Sequence, residues 1–278
     1  DDMMDPYLRA TDRGPIADLC KQYAEQLRSD ASVEADPGKY YDEVHEIDLN
    51  TLEPHIVGPH TPDLGRTVSA MSAEVDEKGY PEKLSAALIG SCTNSSYEDM
   101  TRSVSLVRQA KAAGIKAQTS LLVTPGSETI YQTIKRDGIL QEFEDAGATV
   151  LANACGPCIG QWKRDDMKKG DKNSILTSYN RNFAKRNDGN PETLGFISSP
   201  ELVVAMAFGG SMKFNPLTDS LKDKDGNDFK FQPPAGEVLP PNGYTPQDAG
   251  YEVPTMSGEV VISPTSERLS FLEPFAKQ

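Results

Sequence analysis

From Leu84 onward, short apolar runs alternate with stretches whose apolar residues recur every three or four positions. Residues 85–90 (SAALIG), 120–123, 149–152 and 174–179 have the length and composition of buried strands, and 196–198 is a shorter candidate. Ser95 or Ser96 can cap a following helix, with Glu98 and Asp99 in its first turn. Met100, Val104, Val107 and Ala110 form its apolar stripe and Gly114 stops it. Ser127 starts a helix with Ile130 and Ile134 on one face, broken at Gly138; a second piece over 139–146 ends at Gly147. Ser199, Pro200 and Glu201 open one more, running through Phe208, with proline at its first position. Strands alternating with helices predict a three-layer α/β/α domain built on a mostly parallel sheet.

The flanks are less regular. Leu19, Tyr23 and Leu27 lie at helical spacing and predict one buried face, with Cys20 a core or half-buried thiol beside it. Val44, Ile47 and Leu49 suggest a short strand, and the proline-rich 53–63 reads as an extended linker. Residues 215–260 are full of Asp, Lys, Gly and Pro; short strands over 229–231 and 260–262 and a surface strap are expected there. The predicted organisation is 1–53 from the end of a preceding domain, 54–246 the α/β domain, and 247–278 a linker toward a further domain.

Composition narrows the partners. Of 278 residues, 37% are hydrophobic and 25% charged, as in a globular protein, and the net charge of −14 disfavours a nucleic-acid or anionic-membrane face. No apolar run reaches the roughly 18 residues a membrane span needs. Four cysteines are too sparse for a secreted disulfide scaffold and point to a reducing compartment. The chain starts Asp1, Asp2, Met3, Met4 with no signal peptide, which reads as the interior of a longer protein or a cleaved product.

The unusual residues all fall just after predicted strands. Cys92 follows 85–90; Cys155 and Cys158, spaced by Gly156 and Pro157, follow 149–152; Asn180 and Arg181 follow 174–179. In a parallel sheet those are carboxyl ends, where ligands bind, so one crevice can hold all of them. The thiols admit four readings: a zinc site, for which the histidines His45, His55 and His60 lie far upstream; a thioredoxin-like dithiol, which gives Cys92 no role; buried thiols without ligands; or an iron–sulfur cluster, in which three cysteines leave one iron open to act as a Lewis acid. In an acidic chain, NRNFAKRN over 180–187 gathers Arg181, Lys185 and Arg186, and arginine grips carboxylates bidentately.

Four sequence words extend this reading. LIGSCTNSSYED over 88–99, TPGSE over 124–128, LANACGPCIGQW over 151–162 and SYNRNF over 178–183 resemble the aconitase family, in its mitochondrial-type form, and SPTSERL and LEPF near the end resemble that family's connection to its last domain. The resemblance implies a 4Fe–4S cluster held by Cys92, Cys155 and Cys158, with one exchangeable iron. It implies Asn180 beside the cluster and Arg181 and Arg186 on substrate carboxylates. The implied activity is a hydro-lyase of the tricarboxylic acid cycle, interconverting citrate and isocitrate through cis-aconitate, in a monomer of the mitochondrial matrix.

The family's acid and base residues belong to domains that match nothing here, so no catalytic acid or base is expected, and the chain is expected to act with the other domains of the same enzyme and to be inactive alone. Ala184 and Lys185 stand where the family more often has Thr-Gly, which leaves a homoaconitase- or methylaconitase-type substrate, or a non-catalytic binding or scaffold role, as alternatives.

Overall fold

In the computed structural model, which describes residues 3–246 together with Tyr251, Val253, Gly258, 261–267 and Ala276, three short helices come first: α1 (Met4–Ala10), α2 (Gly14–Gln22) and α3 (Ala31–Ala35). A hairpin of β1 (His55–Val57) and β2 (Gly65–Thr67) leads into α4 (Val68–Lys78). The alternating run is β3 (Leu84–Gly90), α5 (Tyr97–Ala112), β4 (Ser120–Thr124), α6 (Glu128–Arg136), α7 (Ile139–Asp145), β5 (Thr149–Val150), β6 (Asn173–Thr177), β7 (Thr193–Ile197) and α8 (Pro200–Gly209). A small hairpin of β8 (Leu221–Lys222) and β9 (Asp228–Phe229) follows.

Seven strands form one sheet in the order β2-β1-β7-β6-β3-β4-β5. The five from β7 to β5 are parallel, and β1 is antiparallel to both β7 and β2. This is the mostly parallel α/β architecture that alternation predicts, consistent with a three-layer domain. Side chains on opposite faces of the strands part into two cores. Ala87, Ile89, Leu121, Val123, Leu176 and Phe196 join the large cluster with α5 and α8. Ala86, Leu88, Leu122 and Ile175 form a smaller one with Cys158 and Tyr179, bordered by Leu151 and Trp162. The segment between β5 and β6 therefore helps to cover the second face, and it carries the paired cysteines.

Local signals explain the element ends. Ser96 and Asp99 make a reciprocal capping box on α5. Ser127 and Ser199 cap α6 and α8 through their hydroxyls, and Gly210, at φ 72°, ends α8 in the left-handed region. The expected stripe of α5 is buried, at 1% exposure or less for all four residues.

Elsewhere the expectations need correction. Leu19, Tyr23 and Leu27 are exposed, and α2 instead buries Ala17; the helical period is present, but no described element covers that face. Cys20 is half-buried, as expected. Val44, Ile47 and Leu49 are exposed and form no strand. The presumed linker contains β1, which its proline neighbours disguise. β2 and α4 were not anticipated, although Val68, Met71 and Val75 are spaced as a buried stripe. Of the two late strands, Phe229 lies in β9; Val260 falls outside the described residues, and Val261 and Ile262 are in no strand.

Candidate metal and anion site

The loop after β3 is shaped by two left-handed residues, Gly90 at φ 102° and Ser91 at φ 68°. A Cβ on residue 90 would run into the Thr124 carbonyl, so only glycine fits. Ser91 N–H donates to Thr124 O at 2.8 Å, and Ser95 Oγ donates to Ser91 O at 2.5 Å. These bonds hold Cys92 at the carboxyl end of β3 with its side chain exposed. Ser91 Oγ points at its sulfur from 4.0 Å, and Thr93 Oγ1 lies 3.8 Å away.

The second thiol segment leaves β5 and turns through a single 3-10 turn, Pro157–Ile159. Ile159 N–H donates to Cys155 O at 3.0 Å, and Gln161 N–H to Gly156 O at 3.0 Å. Cys155 is exposed; Cys158 is 7% exposed and packs in the smaller core. All four cysteines are free thiols.

The loop after β6 joins these two. Asn180 Nδ2 donates to Thr93 Oγ1 at 3.0 Å, next to Cys92, and Asn94 Nδ2 donates to Ser178 O. At the other end Asn187, 4% exposed, donates from Nδ2 to Pro157 O at 3.0 Å, inside the Cys-x-x-Cys turn. Gly160 backs onto the same loop: a Cβ there would lie 3.3 Å from Arg186 O. Residues 180–187 thus staple both cysteine segments. Tyr179, at the root of the loop, is buried, and burial pushes its hydroxyl up to about 12, so it stays protonated.

The loop's two arginines are held differently from most described arginines, which pair with a carboxylate. Arg181 is exposed and donates from Nη1 to Asn180 O at 2.7 Å. Arg186 is half-buried over the Phe183 ring, 5.6 Å from its centroid, and its buried Nε finds no acceptor. Among the described residues no carboxylate pairs with Arg181, Lys185 or Arg186, in a protein of 42 acidic side chains. Nor do any three His, Cys, Asp or Glu side chains among those residues converge closely enough for one metal ion, so a zinc ion has no ready site.

The predicted site residues Cys92, Cys155, Cys158, Asn180, Arg181 and Arg186 thus lie in the segments that follow β3, β5 and β6. Sequence reasoning missed Asn187 and Asn94, whose role is to tie loops together, and Tyr179; for Asn187 the available signal was a polar residue beside Arg186.

The fold and these loops define a class, an open α/β domain with its ligand crevice where the parallel strands end. Comparison with known proteins then makes it specific. The model of the aconitase family (aconitate hydratase) matches residues 1–210, and the chain belongs to that family. It is 57% identical over 272 residues to the mitochondrial aconitate hydratase of Saccharomyces cerevisiae, covering 97% of this chain and 34% of the relative. The corresponding protein of Schizosaccharomyces pombe is 54% identical over 276 residues, covering 99% and 34%. A probable mitochondrial aconitate hydratase of Caenorhabditis elegans is 51% identical over 271 residues, covering 98% and 34%. The chain spans about a third of the length of the curated relatives it matches.

Proposed function

We propose that this chain is the cluster-binding part of an aconitate hydratase, a lyase of the tricarboxylic acid cycle that interconverts citrate and isocitrate through cis-aconitate. The observation that carries the reading is the staple: one loop, 180–187, holds the Cys92 loop by Asn180 and the Cys155–Cys158 turn by Asn187, and bears the unpaired cations. Cys92, Cys155 and Cys158 would hold a 4Fe–4S cluster. Their donor chemistry fits it: three free thiols, with hydroxyls beside Cys92. A cubane takes each thiolate on a different iron and so needs them farther apart than zinc does. When bound, it would supply an open Lewis-acidic iron for the substrate hydroxyl.

The chain's own residues do the rest of the work assigned here. Arg181 and Arg186 bind substrate carboxylates, for which they have no internal substitute. Asn180 would stand beside the cluster; its amide donates to Thr93 Oγ1, next to Cys92. No acid or base for proton transfer is assigned to this chain; that work belongs to the remainder of the enzyme. The boundaries we propose are 1–53, 54–246 and 247–278, and the start of the sheet at His55 supports the first. The relatives' names support a mitochondrial location, and we place the protein in the matrix as a monomer, without nucleic-acid or membrane partners.

Anaerobic reconstitution of this chain and of the intact enzyme tests the proposal. Both are expected to bind iron and sulfide, with turnover of citrate in the intact enzyme alone. Turnover by the isolated chain near the intact rate would contradict the division of labour.

A further inference from the structure

One buried cation bears on both sides of the joint between the cysteine turn and the arginine loop. The Arg164 side chain is only 3% exposed. Its Nε and Nη2 donate to the two carboxylate oxygens of Asp166 at 3.1 and 2.7 Å. Its Nη1 donates to Asn173 Oδ1 at 2.8 Å and lies 3.6 Å from Asp188 Oδ2. The guanidinium stands over the Trp162 ring, 4.9 Å from its centroid.

Both arms lead to the site. Trp162 borders the small core that buries Cys158. Asp188, with a side chain 4% exposed, is two residues past Arg186 and adjoins Asn187, which holds Pro157 O. Asp188 is itself fixed, accepting from Thr193 Oγ1 at 2.7 Å and from Asn190 N–H at 2.9 Å. A buried ion pair contributes little net stability, because desolvation offsets attraction. What arginine adds is geometry: a planar fork that can serve two carboxylates and an amide while stacking on an indole, which lysine cannot reproduce.

We propose that Arg164 is a positioning residue that sets Cys158 and Arg186 relative to each other, clamping Trp162 over the Cys158 core on one side and Asp188 under the arginine loop on the other. Its consequence for cluster retention rests on the function proposed above; its effect on Cys158 does not.

The test starts with the apo chain carrying Cys20→Ser and measures thiol modification by a disulfide reagent. With Arg164 present, Cys92 and Cys155 should react fast and Cys158 slowly, as their exposure dictates. Arg164→Gln should speed Cys158 tenfold or more with the far-UV circular dichroism unchanged. Arg164→Lys, which keeps charge without the fork, should fall between. Asp166→Asn should change the rate less than threefold, because that carboxylate is 60% exposed and lies off the joint. The same variants are then reconstituted, and Arg164→Gln should lose cluster absorbance to a chelator about tenfold faster. A folded Arg164→Gln chain whose Cys158 stays slow overturns the inference, whatever the cluster does. Should that variant not fold, Arg164→Lys and Asp188→Asn decide, and a Cys158 rate unchanged in both overturns it. If the unmodified chain takes up no cluster, the proposed function fails while the thiol result still judges Arg164.

Discussion

Gly126→Ala is the substitution that most directly probes how the Cys92 loop is built. Gly126 follows β4 and packs against the turn that presents the thiol. A Cβ there would overlap Ser95 Oγ, lie 2.7 Å from Ser91 O and 3.4 Å from Cys92 Cα. The Ser95 hydroxyl can rotate only by giving up its bond to Ser91 O. The Ser91 carbonyl is held by that same bond, and the peptide before it is anchored by Ser91 N–H on Thr124 O, so neither side of the turn gives way freely. To reach ordinary contact it must retreat by about 0.7 Å, the difference between 2.7 Å and 3.4 Å, and Cys92 moves with it. Losing the hydroxyl bond costs about 1 kcal/mol. The overpacking costs a further ~1–3 kcal/mol. Alanine returns ~0.4–1 kcal/mol by restricting the unfolded chain. The net expectation is destabilisation of about 2 kcal/mol. Urea unfolding followed by circular dichroism measures it, with Gly38→Ala as control, where the nearest atom is Asp36 Oδ1 at 4.0 Å. A Gly126→Ala chain within about 0.5 kcal/mol of the parent, the ordinary range for a neutral surface change, would refute the packing argument.

Two further outcomes follow from the same geometry. In the intact enzyme, Arg186→Lys should raise KM for citrate about tenfold or more, since losing a bidentate charge-assisted grip is worth ~1.5–3 kcal/mol and 1.4 kcal/mol is a factor of ten; steady-state kinetics with an unchanged KM would remove Arg186 from the substrate's carboxylates. The Arg136 guanidinium, and secondarily the Tyr97 hydroxyl, hold the Asp137 carboxyl below its usual value. A depressed folded value adds stability above the unfolded value of about 3.9 and loses it as pH falls through the folded one, so Asp137→Asn should flatten the fall in urea midpoint below pH 4; a parallel fall in both proteins would contradict this.

What could be read in the sequence follows from where the physics is local. The central parallel strands β3, β4, β6 and β7 are buried on both faces over most of their length, so their middles read as apolar runs, and helices α5, α6 and α8 announce their starts with serine caps. The carboxyl-end loops followed from strand order alone. β1 was illegible because a three-residue strand beside prolines carries no period, and it exists only by pairing with β2 and β7. The apolar residues before residue 53 misled for the opposite reason: they have helical or strand-like spacing but no described neighbour to cover them. At the site, the cysteines and arginines were visible by type. The contacts that join their loops were not, because Asn180 to Thr93 and Asn187 to Pro157 span 87 and 30 residues.

The central claim is that three thiols from two loops hold one cluster. Anaerobic reconstitution of the chain, with iron and sulfide assayed per protein and the visible spectrum recorded beside a Cys92→Ser variant, tests it most directly. The parent chain is expected to be brown with broad thiolate-to-iron absorption, and the Cys92→Ser chain to lose the colour. A colourless parent that closes a reversible Cys155–Cys158 disulfide, or a Cys92→Ser chain that keeps full colour and iron, would contradict it.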